Sequence, residues 1–160
     1  MAFADGLRTT LCVAEVKAFT PYVRNTSEPL ATVPSHPAQI SSFAAGGDAK
    51  LGAATNDCTG HTEWPDGRVH HTGFTAVFTP NTVVPHSAGG RGYDIDYNSR
   101  QEGTSATAKT YAAITSRSHH LSLVGVAMMD GSTRTIADAI DEVVWRALAT
   151  RAGGEVVAVP

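Results

Sequence analysis

Residues 121–136 read LSLVGVAMMDGSTRTI, and this run sets the kind of domain that the other residues must complete. Leu121 to Met129 is an apolar strand, Asp130-Gly131 is a turn dipeptide, and Ser132 to Ile136 is the return strand. Asp-Gly between two such runs signals a hairpin, because the tight turn wants positive φ at both central positions. A helix is expected next. Asp138 or Asp141 can cap it, and Ile140, Val143, Val144, Ala147 and Leu148 recur at i, i+3, i+4, i+7 and i+8. Gly153-Gly154 is placed to end it.

Working back toward Met1, Thr9 to Phe19 is rich in β-branched residues and reads as a strand, with Leu11, Val13 and Glu15 on one face. Residues 20–37 hold Pro21, Pro29, Pro34 and Pro37 and read as an ordered loop. Pro37 to Phe43 suits one helical turn, stopped by Gly46-Gly47, with polar loop continuing to Gly60. Arg68 to Thr72 is a short strand candidate after the Asp66-Gly67 turn. Tyr93 to Tyr97 alternates as a half-buried strand does, and Tyr111 to Thr115 is another strand. The expected fold is α+β and mostly β, a twisted antiparallel sheet of short strands with long ordered loops and one C-terminal helix. Residues 1–160 are expected to form a single soluble domain.

Of the 160 residues, 42% are hydrophobic and 17% charged, which argues against wholesale disorder. Twelve Lys+Arg against fifteen Asp+Glu leave a formal charge of -3, with no dense basic run. A nucleic-acid groove built on phosphate neutralisation is therefore not expected. No apolar run approaches the roughly 20 residues that span a bilayer, so no membrane contact is expected of this stretch. The start also lacks the charged-then-apolar pattern of a secretory signal. Cys12 and Cys58 are too few for a disulfide framework or a cysteine-rich zinc site. One bridge and two free thiols both remain open.

His120 stands nine residues before Asp130-Gly131, and Ser132, Arg134, Asp141, Trp145, Arg146, Ala147 and Leu148 follow. Gly60-His61-Thr62-Glu63-Trp64, Asp66-Gly67-Arg68-Val69-His70, Phe78-Thr79-Pro80-Asn81-Thr82 and Tyr93-Asp94-Ile95-Asp96 lie upstream. Asp5-Gly6 with Thr10-Leu11 opens the chain, and Thr150-Arg151-Ala152-Gly153-Gly154-Glu155 closes the pattern. Together these resemble the prepilin-type, processing-associated family whose C-terminal signature is His, any nine residues, Asp-Gly. It is a domain-of-unknown-function family common in planctomycete bacteria. Two features depart from it: Leu121-Ser122-Leu123 stands where Pro-Gly-Gly is usual, and the family's N-terminal cleavage motif and long apolar helix have no counterpart. The resemblance thus implies a C-terminal portion that cannot anchor or polymerise through that helix. It also implies a pseudopilin-like role, an extracytoplasmic or cell-surface location, and filament or cell-surface partners for complete members. His120, Asp130, Gly131 and Trp145 are its structural motif residues.

Two groups of residues can carry chemistry. His61, Glu63, His70 and His120 are the candidate ligands for a divalent metal, zinc or calcium, although none is assigned. His61 and Glu63 lie two apart and can converge from an extended segment, whereas His70 and His71 would point to opposite faces of a strand. His120 and Asp130 sit at opposite ends of a nine-residue run, so a straight strand holds them roughly 30 Å apart. Glu63, Asp94 and Asp96, near Trp64, Tyr93 and Tyr97, are the candidate catalytic acids of a small hydrolase, a glycosidase by preference, with a carbohydrate ligand. Asp66 and Glu102 are further acids of the same kind. No Gly-x-Ser-x-Gly elbow occurs. The preferred reading is structural: these polar side chains tie long loops to the sheet, the acids pairing with Arg68, Arg91 or Arg100. His120 is expected to contribute to stability in that way.

Overall fold

The computed structural model describes residues 2–26, 33–52, 59–100, 106–107 and 109–155. Cys58 and Glu102 lie outside them, and so does the question of a bridge to the exposed Cys12. The hairpin forms as β8 (Leu123–Met128) and β9 (Thr133–Ala137), antiparallel in register from Leu123↔Ala137 to Ala127↔Thr133. Its turn differs from the expected one. Gly131 N–H donates to the Met128 carbonyl at 3.0 Å and only Gly131, at φ +83°, is left-handed in the connection, which is a three-residue loop. Asp130 accepts from the Ser132 N–H and hydroxyl, at 2.9 and 2.6 Å.

β1 (Leu11–Ala14) pairs antiparallel with β8 and completes a three-stranded sheet. A bulge between Leu11 and Val13 breaks its alternation. Leu11 and Ala14 therefore face the core while Val13 is exposed, which corrects the single face expected for Leu11, Val13 and Glu15. α3 (Glu142–Leu148) packs on the inner face of this sheet. Its buried residues are Trp145, Ala147 and Leu148, and Val143 points to solvent. It ends at Leu148, before Gly153-Gly154, and Asp141 caps it by accepting from the Val143 and Val144 N–H groups.

A second core lies between α1 (Ala38–Phe43) and a four-stranded sheet ordered β3-β2-β6-β7. Its strands are β2 (Tyr22–Arg24), β3 (Asp48–Lys50), β6 (Asp96–Asn98) and β7 (Ala112–Ala113). β2 and β6 run parallel, the one exception to antiparallel pairing among the described strands. β4 (Pro85–Ala88) and β5 (Arg91–Asp94) form a separate hairpin, so the expected strand over Tyr93 to Tyr97 is divided between two sheets at the buried Ile95. The fold is mostly β, with short strands, open sheets, long loops and one substantial helix at the C-terminal end. No helix among the described residues is long and apolar enough to cross a membrane.

Candidate functional site

Val23 and Tyr97 belong to the second core, so strand alternation sends Tyr22, Arg24, Asp96 and Asn98 to the opposite face. In register, Tyr22 lies beside Asp96 and Arg24 beside Asn98. Residues 59–72 cover this polar face. Gly60 makes the covering close: it bridges Thr20, and a Cβ on Gly60 would stand 2.2 Å from the Thr20 carbonyl oxygen. His61 follows at φ +58°, a conformation non-glycine residues seldom adopt. The turn aims its Nε2 at Asp96 Oδ2, 3.1 Å away, while its N–H donates to the His70 carbonyl at 3.0 Å.

Val69–Thr72 is a helical turn, α2, where the sequence pattern suggests a strand. The difference matters chemically. Consecutive residues of a strand diverge, but His70 and His71 are both buried here, with ring centroids 4.4 Å apart. Tyr22 stacks beside them, 4.9 Å from the His70 ring. Asn98 Nδ2 donates to His70 Nδ1 at 3.2 Å, because an amide nitrogen can only donate. That places the His70 proton on Nε2, which has no hydrogen-bond partner among the described residues. Burial, then the nearby His71 and arginines, lower the His70 pKa from 6.5 to about 4.

Asp94 and Asp96 are held by one residue that the sequence reading missed, Arg117. Its five N–H donors are all used. Nε and one terminal nitrogen grip Asp94 at 3.1 and 2.9 Å, and the other terminal nitrogen donates to Asp96 and to the Thr115 carbonyl. The Ile95 carbonyl accepts the fifth at 3.1 Å. Burial would lower the Arg117 pKa, but the two aspartates outweigh it and hold it above the ordinary arginine range. Asp96 is buried, and its Oδ1 also accepts from the Thr115 N–H at 3.1 Å. The guanidinium thus occupies the position that a calcium ion would need between the two carboxylates.

Glu63 does not join Asp94 or Asp96. It lies with Asp66 beside His71, whose Nε2 is 3.8 Å from Glu63 Oε2 and 4.0 Å from Asp66 Oδ2. The donor atoms of these three residues all fall within 4.8 Å of one another, so they can in principle coordinate a divalent metal. Arg68 contests that role, since its Nε and a terminal nitrogen both bind the Asp66 carboxylate. This contact, with the Arg68 N–H, holds the Asp66 pKa well below the usual carboxylate range. Of the four expected metal ligands, only Glu63 is in this cluster. His61 is on Asp96, His70 is on Asn98, and His120 is 3.7 Å from Glu15 at the far end of β8 with its side chain 70% exposed. The His120 side chain makes no buried tie among the described residues. Asp130 serves its own turn at the other end of the strand, and Trp145 is fully buried in the first core.

The signal that could have exposed Arg117 is the Asp94-x-Asp96 spacing. Two acids two apart share a face in an extended segment, and such a pair with one member buried, as Asp96 is, demands a cation. What the fold and this polar face define is a mostly-β domain in which Arg117 and Arg68 hold the acids Asp94, Asp96 and Asp66. The family described as a protein of unknown function, DUF1559, matches residues 1–143, and the chain belongs to it. No curated protein and no solved structure matches the chain.

Proposed function

We propose that this chain is a non-catalytic, pseudopilin-like domain of a cell-surface or secretion-associated protein, working outside the cytoplasm. The observation that carries the reading is the saturation of Arg117 by Asp94 and Asp96. Two of the three acids suited to hydrolysis are consumed as internal ties, and catalysis needs groups free to exchange protons with substrate. The partners on this reading are filament or cell-surface proteins, with the domain supplying a stiff, loop-covered body. In cells that make the protein, protease added outside intact cells should remove it, and the purified chain should leave chromogenic glycosides and esters unchanged. Retention in the cytoplasm of fractionated cells would overturn the proposal.

One observation keeps hydrolysis as a second reading. Glu63 is half exposed beside His71, and its carboxylate makes no hydrogen bond among the described residues. Glycoside turnover by the wild-type chain that disappears in Glu63→Gln would establish it. Turnover that survives Glu63→Gln would reject Glu63 as the acid or base.

A further inference from the structure

The arginines of this chain are not treated alike. Arg117, Arg68 and Arg146 each hold a carboxylate. Arg24 does not: half-buried on β2, its side chain makes no hydrogen bond or ion pair among the described residues, and its Nε is enclosed without a partner there. The acid nearest in register, Asp48 on β3, accepts instead from Asn25 at 2.7 Å. The Arg24 guanidinium rests over the Tyr22 ring, 5.9 Å from its centroid. A partly desolvated cation without an acceptor is unfavourable, so the fold retains here a charge that its own residues do not neutralise.

This charge lines a cleft of about 340 Å³, within the usual range of small-ligand sites. Lys50, opposite Tyr22 in the β2–β3 pair, and Arg68 add to its positive lining. Tyr22, Thr59 and Glu63 supply hydroxyl and carboxylate groups, with the Tyr22 hydroxyl 3.2 Å from Thr59 Oγ1. Glu63 also borders a second, open hollow that contains Trp64, and the Trp64 side chain is 85% exposed, an unusual placement for an indole. An anion receptor and hydroxyl-binding groups in the cleft, and an exposed aromatic in the hollow that shares Glu63 with it, are three parts of one recognition chemistry.

We propose that the cleft binds an acidic sugar, a hexuronic acid residue of a glycan. Arg24 takes the carboxylate through its planar fork. Glu63 and Thr59 meet ring hydroxyls, and Trp64 receives the apolar face of the sugar. This ligand site is independent of whether the domain is catalytic.

The test titrates the full chain with D-galacturonic acid and its trimer, and in parallel with galactose, galactotriose and sodium sulfate, by calorimetry and tryptophan fluorescence. Trp145 is buried, so a fluorescence change reports Trp64. The uronates should bind saturably, more weakly as salt rises, and the neutral sugars should not. Arg24→Gln should weaken uronate binding by about tenfold or more. Beyond its contact with the Tyr22 ring the Arg24 side chain holds no described group, so this variant should fold, which its circular dichroism melt checks. Trp64→Ala, at an exposed position, should weaken binding and abolish the fluorescence change. Uronate affinity unchanged in folded Arg24→Gln or in Trp64→Ala would overturn the proposal. So would galactose binding as tightly as galacturonate, sulfate binding as tightly as the uronates, or no saturable binding at all.

Discussion

Arg117 shows how a single side chain can fix several loops at once. Its guanidinium joins the end of β5, the start of β6 and the segment leading to β8, and both acids it holds lie on one extended run. Removing it would leave Asp96 buried without its main countercharge. Arg117→Met should therefore destabilise the chain by about 3–5 kcal/mol, seen as a lower urea midpoint. Adding Asp96→Asn should recover part of the loss, because the orphaned charge goes with it; equal midpoints for Arg117→Met and wild type would remove Arg117 from this role. His120 is the opposite case. Its side chain is largely exposed and stands 3.7 Å from Glu15, beyond hydrogen-bond reach. His120→Ala should unfold within about 0.5 kcal/mol of the parent, as surface substitutions do, and a larger loss in the same urea titration would show a tie that these contacts do not contain.

At the level of elements, local information decided what could be read ahead. The β8–β9 hairpin and α3 are legible because turn dipeptide, periodicity and cap lie within a few residues of the segments they govern. The Asp141 cap is such a case: its Oδ1 accepts from Val143 and Val144 N–H at 2.8 and 3.2 Å. Asp141→Ala should cost about 1 kcal/mol in thermal unfolding, and Asp141→Ser should restore most of it; an Asp141→Ala variant as stable as the parent would show that the cap does not matter. Three elements escaped for a common reason, that their geometry is set by distant chain. The bulge in β1 is imposed by pairing with β8, more than a hundred residues away in sequence. β2 lies inside a proline-rich stretch that reads as loop until β6 runs parallel beside it. Residues 69–72 carry strand-like composition but coil because Gly73 N–H closes onto the Val69 carbonyl, packed under the sheet against Tyr22.

Over the whole molecule, the sequence names the site's residues better than their partners: Glu63, Asp94, Asp96, His61 and His70 all lie on or beside one polar sheet face, yet Arg117, Asn98 and His71 decide what each can do. The ends of the pattern meet as well, with Asp5 accepting from Gly153 and Gly154 N–H at 2.8 and 3.0 Å, contacts that lower its pKa. These features give the molecule a pH response in two windows. Asp5, Asp66 and Asp130 have lowered pKa values, so what they contribute is present above about 3.8 and is lost as pH falls below it. His70 acts at higher pH. In the unfolded chain it takes a proton near 6.5, while in the folded chain burial first, and then its neighbours, delay protonation to about 4. Between those values the unfolded state binds more protons, so stability is full above about 6.5 and declines as pH falls toward 4. A shift of that size corresponds to roughly 3 kcal/mol across the window. Urea midpoints measured from pH 7.5 to 4.2 should fall accordingly, and His70→Gln, whose amide oxygen can still accept from Asn98, should flatten the curve by close to one proton. Parallel curves for the two proteins would mean that the buried imidazole is not what makes the folded state sensitive to acid.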